Sequence, residues 1–209
     1  MLTPTQSVSS DPAGMAFRWT ESGGIVLVGD PAAQWSIAYA ISADGATTVG
    51  ANYYNDLPQA FLSGVDGISR SLSAFPGVAT QALAVSGDGS IIVGYIRAFQ
   101  LVPAPLAALT SADPMSVADD EAFIWDAQHG MRSLKNVLLT EFGFNLNLAG
   151  WELRSATGIS RNGTVIVGNG INPAGQQEAW VVTIPEPGAA GVLILTSAMT
   201  ALRRPVRRK

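Results

Sequence analysis

One phrase of thirteen residues occurs three times in this chain: residues 38–50 read AYAISADGATTVG, residues 82–94 read ALAVSGDGSIIVG and residues 156–168 read ATGISRNGTVIVG. Self-similarity of this kind constrains the fold before any single element does. Each copy is one small unit that cannot bury its apolar faces alone, so neighbouring copies must stack. The shared pattern is A-x-x-[IV]-S-x-[DN]-G-x-x-[IV]-V-G, loosened to Thr48 before Val49 in the first copy. A second phrase accompanies it: Ala16-Phe17-Arg18-Trp19, Ala60-Phe61, Ala122-Phe123-Ile124-Trp125 and Glu178-Ala179-Trp180. The two keep one register, since Ala16 to Asp44 and Ala60 to Asp88 are both 28 residues apart and the first two units repeat every 44.

Each unit reads as about four short strands, in the first copy residues 16–20, 25–28, 38–42 and 47–50. These runs are rich in β-branched and aromatic residues, with Gly or Asp between them. Asp44-Gly45, Asp88-Gly89 and Asn162-Gly163 each sit between two apolar runs. Gly accepts positive φ and the Asx side chain bonds local backbone N–H groups, so these pairs are expected as tight turns. A calcium site through Asp44 and Asp88 is the alternative, but it needs several oxygen ligands at close spacing, and the third copy has Asn.

Four-stranded units of 40 to 45 residues have the period of β-propeller blades. The expected fold is all-β, a propeller-like array of about three four-stranded blades, incomplete or open, followed by a C-terminal transmembrane helix. Phe17, Phe61, Phe123 and Trp180 are expected to fill the space between blades. The units run over residues 15–59, 60–121 and 122–184, after a flexible segment 1–14. About eighteen extra residues between Gly94 and Ala122, including the Pro/Ala-rich stretch 101–120, mark a loop insertion. A further twelve around residues 138–151 predict a short helix or hairpin.

Catalytic chemistry has little to draw on. The chain has no Cys and one His, His129, which excludes a thiolate nucleophile, a zinc-finger ligand set and a disulfide framework. No catalytic, cofactor or metal site is assigned. Asp119, Asp120 and Glu121 form the densest acidic group, expected as a solvated loop, and His129 sits in a turn. Through Ile184 there are seven basic and fifteen acidic residues, whereas residues 185–209 carry five basic and one acidic. An acidic body argues against phosphate-backbone binding, so no nucleic-acid partner is expected.

The C-terminal residues change character at Pro185-Glu186-Pro187. Fifteen uncharged residues follow, 188–202, and then Arg203, Arg204, Arg207, Arg208 and Lys209. The prolines stop the last strand. As a helix, 188–202 would span roughly 22 Å at 1.5 Å per residue, short of the roughly 30 Å hydrocarbon core, so length alone favours an interfacial or buried segment, while snorkelling arginines lengthen the effective span. The basic cluster favours the cytoplasmic side, which leaves the repeats outside.

Two resemblances follow from these residues. The paired phrases over residues 15–184 resemble the HAF repeat of bacterial extracellular proteins, although Met15, Gln59 and Glu121 stand where that motif has His. Residues 185–209 resemble a PEP-CTERM sorting signal. That resemblance implies that Pro185, Glu186 and Pro187 are the triplet read by an exosortase, with helix 188–202 and basic tail 203–209 completing the signal. It further implies an exported protein of a Gram-negative bacterium, with an inner-membrane intermediate and then a cell-surface or extracellular form. The body would be non-catalytic, with membrane contact through the C-terminal helix and exopolysaccharide as a candidate partner of the body.

The other readings are a two-carboxylate glycoside hydrolase or lyase, and a protein–protein interaction module that closes its own ring. Trp35, Tyr53, Tyr54 and Trp151 discriminate, since sugar stacking needs them on one open face. The opening residues MLTPTQSVSSDPAGMAF hold neither a basic nor an apolar leader region. Together with the blade count, this gives the expectation that the native chain begins upstream of Met1.

Overall fold

The computed structural model describes residues 14–73, 78–97, 120–144 and 148–184, and the backbone of residues 5–7. They form four antiparallel sheets of three, four, four and three strands. The first holds β1 (Thr5–Ser7), β2 (Phe17–Thr20) and β3 (Gly24–Leu27). The second holds β4 (Trp35–Ile41), β5 (Thr48–Tyr54), β6 (Leu57–Ser63) and β7 (Ser69–Ser71). The third holds β8 (Ala79–Val85), β9 (Ile91–Arg97), β10 (Glu121–Asp126) and β11 (Gly130–Ser133). A short helix, α1 (Leu134–Thr140), leads to the fourth, with β12 (Glu152–Ile159), β13 (Val165–Ile171) and β14 (Gln177–Thr183).

The fold is therefore all-β and propeller-like, but with four sheets where the repeat count gives about three blades. The sheets are also offset from the sequence units. The Ala-Phe strand is the third strand of a sheet, pairing with the Val-Gly strand of the preceding phrase: Gly50 lies opposite Phe61, Gly94 opposite Phe123 and Gly168 opposite Trp180. Between β5 and β6 the connection is Asn55-Asp56, both at positive φ (51° and 63°). This is the backbone twist that a two-residue hairpin requires. In the third sheet the corresponding hairpin is where the insertion falls, and its residues 98–119 lie outside the described residues.

Each copy of the phrase carries one bulge. The register passes from Ala38–Gly50 to Ala40–Val49, from Ala82–Gly94 to Ala84–Val93 and from Ala156–Gly168 to Gly158–Val167, leaving Tyr39, Leu83 and Thr157 as the extra residues. An extra residue raises the local twist. In all three sheets an Ala, a Gly and an aromatic side chain stand in one row across three strands.

Those rows make the core. Phe61 packs with Ala16, Val28 and Ala38 between the first two sheets. Phe123 packs with Val49, Ala60 and Ala82 between the second and third. Trp180 packs with Val93, Ala122 and Ile124 between the third and fourth. Phe17 departs from the expectation. It is only half-buried, because the face of β2 that carries it has no sheet before it among the described residues.

Helix α1 lies mostly before the stretch 138–151 expected to hold a short helix or hairpin and overlaps only its first residues. The Ser133 side chain accepts the Asn136 N–H at its N-terminus, and Leu134, Val137 and Leu138 are buried. Among the described residues no helix is long and apolar enough to cross a membrane. The expected helix 188–202 lies outside them, as does most of segment 1–14.

Candidate functional site

The Asx-Gly pairs form turns built to one plan. Ser42 Oγ donates to Asp44 Oδ1 at 2.6 Å, which accepts the Ala46 N–H at 2.9 Å, and Ser42 Oγ accepts the Thr47 N–H at 2.9 Å. Ser86, Asp88, Ser90 and Ile91 repeat the arrangement, and so do Ser160, Asn162, Thr164 and Val165. The Ser hydroxyl, with backbone N–H groups, holds the Asp44 and Asp88 carboxyls below the usual carboxylate range. The Oδ1 atom of each is committed to the turn. No group of three or more His, Asp or Glu able to hold a metal exists among the described residues.

Successive turns are joined. The Ala43 N–H donates to the Gly87 carbonyl at 2.9 Å, and the Gly87 N–H donates to the Arg161 carbonyl at 2.8 Å. Two buried hydroxyls add a second link between sheets. Ser36 Oγ accepts the Ala16 N–H and Thr80 Oγ1 accepts the Ala60 N–H, both at 2.8 Å. The sequence reading passed over Ser36 and Thr80, yet each stands two residues before the Ala of its phrase, and that shared offset was the signal. Arg18 is buried against the turns of the second sheet, donating to the carbonyls of Gly45, Gly64 and Val65.

Two of the three acidic candidates are hydrogen-bonded within the fold. Asp120 receives Arg97 at 2.8 and 3.0 Å, and Glu121 accepts the Ser133 hydroxyl. Asp119 lies outside the described residues. His129 is an exposed turn residue whose Nδ1 lies 2.9 Å from Asp126 Oδ1.

The four aromatic residues do not share an open face. Trp151 is buried in the core, and Tyr53 is buried with its ring stacked on Trp35, centroids 3.4 Å apart. Tyr53 also accepts Gln81 Nε2 at 2.9 Å and bonds Tyr39, whose phenol is pushed upward in pKa chiefly by burial.

Of the four, Tyr54 borders a described concavity. Asp30, Asn52, Gln59, Ser69, Ser71 and Ser73 line it with Tyr54, around a volume of about 300 Å³. Tyr54 donates to Asp30 Oδ2 at 2.5 Å, and burial together with that bond pushes its pKa up to about 12. Asn52 Oδ1 accepts the Asp30 N–H at 3.0 Å while its Nδ2 donates to Ser69 Oγ at 2.9 Å. The lining is hydroxyl, amide and one carboxylate. A two-carboxylate reaction needs a second acid about 5 to 9 Å away, and the lining has none. The arrangement can hydrogen-bond a polar, neutral ligand. The sorting-signal residues Pro185, Glu186, Pro187, Arg203, Arg204, Arg207 and Arg208 lie outside the described residues.

The sheet stack with its repeated Ala-Gly-aromatic rows defines a propeller-type protein, and comparison with solved structures agrees. A structure described as a TolB from Agrobacterium tumefaciens matches with a TM-score of 0.50 at 14% identity, over 85% of this chain and 57% of that one. TolB from Acinetobacter baumannii aligns with a TM-score of 0.48 at 12% identity, over 88% of this chain and 39% of that one. The chain thus spans little more than half the length of the first, and the likeness is one of fold. No family model matches the chain, and no curated protein does.

Proposed function

We propose that this is an exported envelope or exopolysaccharide-matrix protein, processed by an exosortase at its C-terminal signal, with a non-catalytic propeller-like body. The observation that carries the reading is the order of the last residues: Pro185-Glu186-Pro187, fifteen uncharged residues, then Arg203, Arg204, Arg207 and Arg208. The state of the body is in keeping with it. Asp120 is spent on Arg97, Glu121 on Ser133, and Asp44 and Asp88 on their turns. Contact with polysaccharide belongs to the Asp30–Tyr54 concavity, where hydroxyls and amides match the hydrogen-bonding character of neutral sugars.

Mass spectrometry of terminal peptides from cytosol, membrane and medium tests the sorting reading. A body ending near residues 185–187 in membrane or medium is expected. An intact chain through Lys209, confined to the cytosol, would overturn it. Glycan binding is tested separately by titrating neutral exopolysaccharide into the wild type and Asn52→Leu, with loss of binding expected in the variant.

A further inference from the structure

The contact between the first and second sheets departs from the other two at one level. Phe61, Phe123 and Trp180 mark the same row in the three contacts, packed on Ala16, Ala60 and Ala122 of the earlier sheet. Two residues past that Ala, the earlier sheet supplies Arg18, Leu62 and Ile124 in turn. Two residues before the Gly and two past the aromatic, the later sheet supplies Thr48 with Ser63, Ile92 with Trp125, and Ile166 with Val182. Leu62, Ile92 and Trp125 belong to one apolar cluster, and Ile124, Ile166 and Val182 to another. Of the three contacts, the first is polar where the others are apolar.

The register brings the three polar side chains together. Thr48 lies opposite Ser63 in the ladder, and alternation along β5 and β6 puts both on the face of Gly50 and Phe61, toward the first sheet. Arg18 comes from that sheet. Its terminal nitrogens donate to the carbonyl of Gly64, the neighbour of Ser63, and to those of Gly45 and Val65. The guanidinium thus lies at the Thr48–Ser63 pair. Arg18, Thr48 and Ser63 are only 8%, 2% and 0% exposed, yet Arg18 Nε, Thr48 Oγ1 and Ser63 Oγ make no hydrogen bond within the protein. Buried donors left in this way are rare, and each costs free energy.

Charge adds a second demand. An arginine does not deprotonate in a protein, and a buried cation is costly unless it is paired. Among the described residues Arg18 forms no ion pair, and its three acceptors are neutral carbonyls. We propose that Arg18 Nε, Thr48 Oγ1 and Ser63 Oγ bind a small monovalent anion of chloride size between the first two sheets. Three donors beside an uncompensated cation match a ligand that only accepts and carries one negative charge. A bridging water would take up the donors and leave the charge. A polyatomic oxyanion has more acceptor oxygens than these three buried donors serve. The bound anion ties β2 to β5 and β6, so it stabilises the fold by mass action. This inference is independent of the sorting reading, because every residue in it lies in the body.

Thermal unfolding of the full-length chain tests it, with sodium chloride exchanged for sodium gluconate at constant ionic strength. The wild-type midpoint is expected to rise by about 3 to 5 °C for each tenfold increase in chloride once the site fills. Chloride-35 NMR is expected to show line broadening by the wild type in the same solutions. The triple variant Arg18→Ile, Thr48→Ile, Ser63→Val carries the residues found at this level of the third contact, and is expected to fold and to lose both effects. Thr48→Val with Ser63→Ala keeps the arginine, removes two donors, and is expected to need at least about tenfold more chloride for the same shift. That variant carries the test if the triple one does not fold. A wild-type midpoint indifferent to the exchange, broadening equal in wild type and variant, or an undiminished chloride effect in Thr48→Val with Ser63→Ala would each overturn the proposal.

Discussion

Gly94 lies beneath the ring of Phe123. A Cβ built on Gly94 would stand 2.8 Å from Phe123 Cε1 and 1.9 Å from the Gln81 carbonyl oxygen. Gly50 stands in the same relation to Phe61 and Ile37, and Gly168 to Trp180 and Ser155. The last residue of the thirteen-residue phrase and the aromatic residue of the Ala-Phe phrase are thus two halves of one contact. The bulged first strand brings its carbonyl up on one side while the third strand lays its ring on the other. Gly94 has no positive φ, so space and not backbone freedom selects it.

Gly94→Ala is expected to lower stability by at least about 1 to 3 kcal/mol, the ordinary cost of overfilling a packed core. The backbone carbonyl cannot step aside as a flexible side chain could. Urea unfolding of the variant measures it. Gly175→Ala is the contrast: nothing lies near its Cβ, but its φ of +76° strains any L side chain. Its cost is conformational, and stays when Gly94's neighbour is trimmed in Phe123→Leu.

Thr80→Val is expected to cost about 1 to 3 kcal/mol, because it leaves the Ala60 N–H buried without its acceptor. Thr80→Ser keeps the oxygen and is expected to recover most of that loss. Chemical denaturation of the pair separates the bond from the packing of the side chain.

The period was legible in the sequence, but the phase was not. Repetition of Ala-Phe every 44 residues fixes the length of a unit without saying where a sheet begins. Placing the boundary at Ala60 separated Val49-Gly50 from Phe61, which the fold pairs side by side. The signal that sets the phase is Asn55-Asp56, a two-residue hairpin link at positive φ. It says that the strands on either side of it belong to one sheet. The turn function of Asp44-Gly45 and its equivalents was legible because the third copy, with Asn162, cannot rely on charge. The Asp30–Tyr54 concavity was not, since its lining comes from β5, β6, β7 and the loop after β3, brought together only by sheet stacking.

The pH dependence of stability follows from the same turns. Asp44 and Asp88 are held below their ordinary value of 3.8 when folded. A carboxylate whose folded pKa is lowered contributes stability above the unfolded pKa and loses it as the pH falls through the folded one. Asp66, held at about 2 by its bond to Arg70, adds to this at the acid end. Thermal unfolding midpoints are therefore expected to fall as the pH drops below about 4. Asp44→Asn with Asp88→Asn is expected to flatten that fall while keeping the turns, as Asn162 keeps its own. Midpoints recorded from pH 2 to 7 for both proteins give the difference directly.

Phe123 and Phe17 hold the same place in the repeat and are expected to differ sharply when truncated. Phe123 is fully buried between two sheets, so Phe123→Ala removes its contacts and opens a cavity, at a cost of about 3 to 5 kcal/mol. Phe17 is half-buried, with its outer side against no sheet among the described residues. Phe17→Ala is expected to cost about 1 kcal/mol or less, near the small effect of ordinary surface changes. Urea unfolding of wild type and both variants reads out the difference.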